Sequence, residues 1–134
     1  MALIHSVADE YSVEKDRIYI TGQSMGGGGA WGMVSFFPEM FAAAVPVCGV
    51  GSVASARRIV DNGVAIWAFH GSADPLVPVG ASRDMIDALR AAGGSPKYTE
   101  YPGVKHDAWV DAYLEPTLHE WLFDQKHQRW YSFQ

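Results

Sequence analysis

Residues 17–29 read RIYITGQSMGGGG, and this stretch decides the fold class of the chain. Its first five side chains are mostly β-branched or aromatic and predict a short strand. A Gly-x-Ser-x-Gly motif follows, and an apolar helical pattern runs from Met25 to about Phe37. In this strand–turn–helix setting, the sharp turn projects the hydroxyl of the central serine, Ser24, above the sheet. Ser24 is therefore the candidate nucleophile.

The glycines of this stretch also have other interpretations. A Gly-x-Ser-x-Gly match occurs in ordinary glycine-rich turns, and only the strand before it and the helix after it favour a nucleophile. Four consecutive glycines suggest a phosphate-binding loop, but no Gly-Lys-Ser/Thr follows them. Glycines in a first helical turn also allow the helix to pack closely on a sheet. The sequence favours this packing role.

The rest of the chain alternates between strand and helix patterns. The spacing of apolar residues predicts strands at 42–48, 64–70 and 98–101, and helices at 2–11, 81–92 and 108–125, the last broken near Pro116. A polar loop with one helical turn is predicted between residues 50 and 63. Such alternation is typical of a wound parallel sheet. We expect an α/β fold with a small, mainly parallel sheet of about four strands flanked by helices.

Composition and charge exclude several classes of protein. The chain has 134 residues, which suits one domain, and 49% hydrophobic residues supply a core, so disorder is excluded. A net charge of -5 disfavours nucleic acid and anionic membranes as partners. No apolar run reaches the roughly 18 residues of a membrane span, and no signal peptide is visible. We therefore expect a cytoplasmic protein. Cys48 is the single cysteine, which excludes an internal disulfide.

Asp74 is the candidate acid of the site. A serine nucleophile needs a base, usually histidine, and the base needs a carboxylate to orient it. Asp74 follows a buried apolar run and would lie at the carboxyl end of a central strand, where open α/β sheets carry catalytic groups. Before Pro75 it could also simply begin a turn. The chain order of serine, acid and histidine favours the acid role. The competing carboxylates are Asp61, Asp84, Asp107 and Asp111.

His106 is the candidate base, because it lies in the predicted loop between the last strand and the last helix. We interpret His70, at the end of a core strand, as a hydrogen-bonded structural residue. The remaining histidines suit surface or packing positions: His5, His119 and His127. No set of potential ligands has convincing metal spacing, so we expect neither a metal nor another cofactor. Cys48 lies in an apolar predicted strand and suits a small buried hydrophobe.

Longer runs extend these motifs over nearly the whole chain. They are residues 16–28, Trp31, 41–48, 65–71, Asp74, 77–78, 98–102 and 106–109. In combination they resemble the α/β-hydrolase superfamily, and within it the carboxylesterase group related to polyhydroxybutyrate depolymerases, feruloyl esterases and dienelactone hydrolases. The resemblance implies ester hydrolysis with Ser24 as nucleophile, His106 as general base and Asp74 as the acid that orients it. It also implies that the backbone amide of Met25 donates to the oxyanion.

The substrate pocket is less defined than the triad. We expect Gln23, beside the nucleophile, and Trp109, beside His106, to line it, and we expect a small-molecule ester as the ligand. These residues do not select an acyl length.

The resemblance covers only the C-terminal half of such an enzyme. Its members carry further strands, and a loop that donates a second oxyanion amide, ahead of the helix that begins near Leu3. We therefore expect residues 1–134 to form a single minimal domain without the usual N-terminal strands. The strand at 17–21 would then be an unpaired edge, which is prone to pair with another chain. We expect a homodimer joined through this edge or a neighbouring surface.

Two functions from different classes agree with these residues. The leading hypothesis is a serine carboxylesterase for small or short-chain acyl esters, although acyltransferase and peptidase activities remain open. The alternative is a catalytically weak or inactive half-domain that acts as an oligomerisation or binding module. A complete set of triad residues favours the enzyme, whereas the missing oxyanion loop favours the module.

Overall fold

A computed structural model of the protein describes residues 1–127. The last part of the expected domain, residues 128–134, lies outside the described residues. A four-stranded sheet forms the centre of the described part, in the order β1-β2-β3-β4, and every neighbouring pair is parallel. The strands are β1 Tyr19–Gln23, β2 Ala43–Val47, β3 Ala65–Gly71 and β4 Lys97–Tyr101. The predicted fold class is confirmed.

Helices connect and cover these strands. Their bounds are α1 Ala2–Glu10, α2 Met25–Phe36, α3 Ala56–Asp61, α4 Gly80–Ala91, α5 Trp109–Tyr113 and α6 Leu118–Phe123. Short 3₁₀ turns lie at Lys15–Arg17, Pro38–Met40 and Val53–Ser55. None of the helices in the described part combines the length and the apolar character that a membrane span requires.

Two elements differ from their predictions by more than one residue at an end. β1 begins two residues later than predicted, because residues 15–17 form a 3₁₀ turn, and it continues through Gly22 to Gln23 in parallel pairing with β2. The helix predicted over 108–125 is two short helices, α5 and α6. The break falls around Pro116, which has no N–H to continue the first helix.

Two apolar layers make up the core, one on each face of the sheet. Successive side chains of a strand point to opposite faces, and β3 divides between the layers accordingly. Ile66 and Ala68 pack in the layer beneath α2, α3 and α4, whereas Trp67 and Phe69 pack in the layer beneath α5 and α6. All four side chains are buried. Packing on both faces holds β3 firmly, and with it the loop that follows its carboxyl end.

The β1 edge of the sheet is less completely covered than β3. β1 is one of the two edge strands of the described sheet, with β4 at the other edge, and α1, which packs near Ile18, has no fully buried residue. Two side chains of α2 are also largely exposed, Met25 at 91% and Phe36 at 71%. We define the β1 flank as the exposed apolar side chains on α1 and directly after it, together with Met25, which follows β1: Leu3, Val7, Tyr11 and Met25.

Candidate active site

The turn between β1 and α2 holds Ser24 in a strained backbone conformation. Its φ of 55° and ψ of -117° are rare for a residue with a side chain. The turn requires the first glycine of the motif, because a Cβ on Gly22 would overlap the backbone carbonyl of Gly26, whereas a Cβ on Gly26 would meet no atom within 4 Å. The first helical hydrogen bond runs from the Gly28 amide to the Ser24 carbonyl, at 3.0 Å. The amides of residues 25–27 therefore have no partner within the helix and remain available to an anion.

The three predicted triad side chains form one series of hydrogen bonds. The Ser24 hydroxyl donates to Nε2 of His106 at 2.8 Å, and Nδ1 of His106 donates to Oδ2 of Asp74 at 2.8 Å. An ionised carboxylate can only accept, so the contact fixes the tautomer that carries its proton on Nδ1. The side chains follow β1, β3 and β4, whose carboxyl ends share one edge of the parallel sheet. The structure thus brings all three residues together.

The Asp74 carboxylate is buried and fully engaged. Its Oδ1 accepts hydrogen bonds from the amides of Leu76 and Val77, each at 2.9 Å. Burial by itself raises the pKa of the Asp74 carboxyl, but the hydrogen bonds from His106 and from the two amides outweigh it. The pKa therefore lies below its ordinary value, and Asp74 is ionised at neutral pH.

Backbone contacts join the acid loop to the base loop. The Ala73 amide donates to the Val104 carbonyl at 3.0 Å. Gly71, the last residue of β3, permits this approach, because a Cβ there would overlap the carbonyl oxygens of Val104 and Lys105. The two loops therefore behave as one unit, and the separation between acid and base is set by main-chain packing.

The two residues predicted to line the pocket take different positions. The Trp109 ring lies edge-on to the His106 ring, with 5.5 Å between their centroids, so it adjoins the base. Gln23 is exposed at the end of β1, next to Ser24 in the chain. Contact of either residue with a substrate stays a prediction.

Cys48 corrects one prediction. It is buried, as expected, but it lies one residue beyond β2 rather than inside a strand, and its φ is 42°. Its Sγ lies 3.5 Å from the His106 carbonyl oxygen, and burial raises the pKa of the thiol. Sγ, a carboxylate oxygen of Asp74 and a ring nitrogen of His106 lie within 4.8 Å of one another. Zinc could use such donors, but it would displace the Asp74–His106 hydrogen bond.

His70 is a buried, hydrogen-bonded residue, as predicted. Its Nδ1 lies 2.7 Å from the Ser82 hydroxyl, and its Nε2 lies 2.8 Å from the Val77 carbonyl oxygen. Sequence reasoning missed Ser82 and Val77 as parts of the site's surroundings. Their roles depend on the path of the loop after β3, which apolar periodicity does not report.

Comparison with known proteins agrees with this geometry. The family model described as the dienelactone hydrolase family matches residues 1–114. The crystal structure of a thermostable esterase is similar in fold and sequence, with a TM-score of 0.88 and 42% identity. That similarity covers 93% of this chain and 35% of the esterase. The resemblance seen in the sequence is therefore confirmed.

Two curated relatives match shorter stretches. An uncharacterized secreted protein of Arthroderma benhamiae is 32% identical over 115 residues, which is 65% of this chain and 12% of that protein. Esterase LipC of Mycobacterium tuberculosis is 33% identical over 85 residues, which is 61% of this chain and 19% of LipC. The chain thus spans less than a fifth of the length of these relatives. Because the family model covers the nucleophile turn, the acid loop and the base loop in one continuous match, the chain belongs to the dienelactone hydrolase family.

Proposed function

We propose that the chain is a serine carboxylesterase that hydrolyses small or short-chain acyl esters through an acyl-enzyme. The hydrogen-bonded series from Ser24 through His106 to Asp74 carries this proposal, because both distances suit proton transfer in the direction that the reaction needs. The similarity to a thermostable esterase and to LipC supports an ester as the substrate.

Acylation uses His106 first as a base and then as an acid. As Oγ of Ser24 attacks the ester carbonyl carbon, Nε2 of His106 takes the hydroxyl proton. The negative charge of Asp74 stabilises the imidazolium that results. When the tetrahedral intermediate collapses, Nε2 returns the proton to the alcohol oxygen as the carbon–oxygen bond breaks. The alcohol leaves and the acyl group remains on Ser24.

Deacylation repeats the sequence with water. Nε2 of His106 takes a proton from the water as its oxygen attacks the acyl carbon, and a second tetrahedral intermediate forms. Its collapse breaks the bond to Oγ of Ser24, which recovers the proton from Nε2. The carboxylic acid leaves and the resting hydrogen bonds re-form.

The amide of Met25 is the oxyanion donor that we assign. It stands at the first position of α2, where it has no partner within the helix and where the helix dipole favours negative charge. Each donor to an oxyanion contributes about 2.7–4 kcal/mol to the barrier reduction. A site that relied on one donor would be slower by about 100- to 1000-fold than one with two.

A small ester suits the exposure of the site. Ser24 is half-buried between two exposed neighbours, Gln23 and Met25, and Trp109 is the aromatic side chain next to the base. Such a surface offers little enclosed apolar area for a long acyl chain. We therefore expect faster turnover of acetyl and butyryl esters than of longer esters.

Hydrolysis of p-nitrophenyl acetate tests the proposal. We expect turnover by the purified chain and a fall of at least about 10⁴-fold in the Ser24→Ala variant. The matched control is Ser6→Ala, which removes an exposed hydroxyl from α1 and leaves turnover unchanged. A fluorophosphonate probe should label the native chain and the Ser6→Ala variant but not Ser24→Ala. A folded chain that shows neither turnover nor labelling would contradict the esterase and support a binding module.

A further inference from the structure

The buried ring of His70 has a defined tautomer. Its Nε2 contacts the Val77 carbonyl oxygen at 2.8 Å, and a carbonyl oxygen can only accept. Nε2 therefore carries the proton, and Nδ1 accepts from the Ser82 hydroxyl at 2.7 Å. The side chain is fully buried, so bulk solvent does not reach either nitrogen. Both contacts fix the orientation of the ring.

Val77 connects this ring to the acid. Its carbonyl accepts from His70, while its amide donates to Oδ1 of Asp74 at 2.9 Å. The same nitrogen, Nε2, also lies 3.4 Å from Oδ2 of Asp74, the oxygen that accepts from His106. The donor on Nε2 thus bonds to the backbone segment that holds Oδ1, and its nitrogen lies near the oxygen that orients the base.

We propose that His70 is a positioning residue that sets the Asp74 carboxylate for His106 through the hydrogen on its Nε2. The role in catalysis rests on the proposed esterase function, whereas the role in geometry does not. A core histidine that only fills space would need the volume of the ring but no proton at a particular nitrogen. The donor at the Nε2 position distinguishes the two roles.

Two amide substitutions at position 70 distinguish a positioning role of His70 from a space-filling role. Glutamine can place its N–H₂ near the position of Nε2, whereas asparagine can place it only near the position of Nδ1. We expect the His70→Gln variant to keep kcat within about threefold and His70→Asn to lose about tenfold or more, which corresponds to about 1.4 kcal/mol. KM should change little in both variants, because Asp74 and His70 do not contact the ester.

Nuclear magnetic resonance supplies a readout that does not depend on turnover. The Nδ1 proton of His106 should give a far-downfield resonance in the native chain and in His70→Gln, and it should weaken or shift in His70→Asn. In the native chain, ¹⁵N shifts should show His70 protonated at Nε2 and unprotonated at Nδ1. This last measurement needs no variant and stands even where His70→Asn fails to fold.

Three outcomes would overturn the proposal. One is a native His70 that is protonated at Nδ1 instead of Nε2. Another is a folded His70→Asn variant with native kcat and an unchanged His106 resonance. The third is an equal loss of kcat and of that resonance in the Gln and Asn variants, because then the donor position does not matter. A native chain without turnover but with the expected resonances would contradict the esterase and leave the positioning role supported.

Discussion

Two regions of the molecule differ in how many of their side chains have partners. They are the loops at the carboxyl ends of β3 and β4, and the β1 flank. At the strand ends, Asp74 accepts from two amides and from His106, and the loops approach each other over Gly71. In the β1 flank, large apolar side chains such as Leu3, at 75%, remain exposed. Strands β3 and β4 therefore determine the acid–base geometry, while the β1 flank leaves apolar surface for a further contact.

The proposed acid–base chemistry at the strand ends depends most on the charge of Asp74. We expect Asp74→Asn to lower kcat by about 10⁴-fold, because an amide no longer stabilises the imidazolium and no longer requires the proton on Nδ1 of His106. The measurement is steady-state hydrolysis of p-nitrophenyl acetate. Asp111→Asn, which alters an exposed carboxylate on α5, is the control and should keep native kcat. An Asp74→Asn variant with more than about a tenth of native kcat would refute the assigned acid.

The next largest effect concerns the contact between the loops. Gly71→Ala should lower the free energy of unfolding by about 3 kcal/mol, because the new Cβ overlaps backbone oxygens that cannot move independently. Turnover should fall as well, since relief of the overlap separates the acid loop from the base loop. Denaturant unfolding followed by circular dichroism gives the first quantity. Native stability in this variant would show that the loops can separate at low cost.

The exposed apolar side chains of the β1 flank predict self-association. We expect a homodimer that covers the β1 flank and the edge of β1, which pairs with no further strand among residues 1–127, because an exposed strand edge beside apolar surface favours pairing. Leu3→Glu, which alters a side chain of the flank at 75% exposure, should weaken the dimer by about tenfold or more, whereas Leu114→Glu, which alters an apolar side chain at 74% exposure outside the flank, should not. Light scattering at micromolar concentration decides this, and a monomeric mass for the native chain would rule the dimer out.

Acid should destabilise the strand ends. The pKa of Asp74 is below its ordinary value of 3.8, so the unfolded chain binds more protons than the folded chain as the pH falls through that value. The stability that this group contributes is present above that pH and is lost as the pH decreases toward the folded pKa. Glu100 contributes in the same direction, because the Arg83 guanidinium lowers its pKa to about 2. Urea unfolding at several pH values should therefore show that the free energy of unfolding decreases less steeply with falling pH in Asp74→Asn than in the native chain. The pH dependence that Glu100 contributes should remain in this variant.

The smallest effect belongs to the glycines of α2. Gly29 has no neighbouring atom within 4 Å of the position of a Cβ, so Gly29→Ala should stabilise the chain by about 0.5–1 kcal/mol through helix propensity. Its contrast with Gly71→Ala separates a glycine that the packing requires from one that it does not. A destabilised Gly29→Ala variant would indicate that this face of α2 is covered in solution.

The sequence predicted the features that local patterns specify. The turn that holds Ser24, the four strands and the candidate triad residues follow from a motif, from apolar periodicity and from positions after strands. Boundaries were less accurate, because Gly22 continues its strand when a neighbour supplies the pairing. The turned backbone of Cys48 and the bond from His70 to Val77 depend on how loops pass one another. Apolar periodicity contains no information on those paths.

The spacing of the proposed triad along the chain gives the proposed chemistry a second use. Ser24, Asp74 and His106 follow three different strands and meet only when the parallel sheet is assembled. An unfolded or partly folded chain therefore presents an ordinary, unreactive serine. A phosphonate that reacts with activated serine would count correctly assembled molecules one by one. The amount of Ser24 that the phosphonate labels at successive times of refolding would therefore report how fast the whole sheet forms.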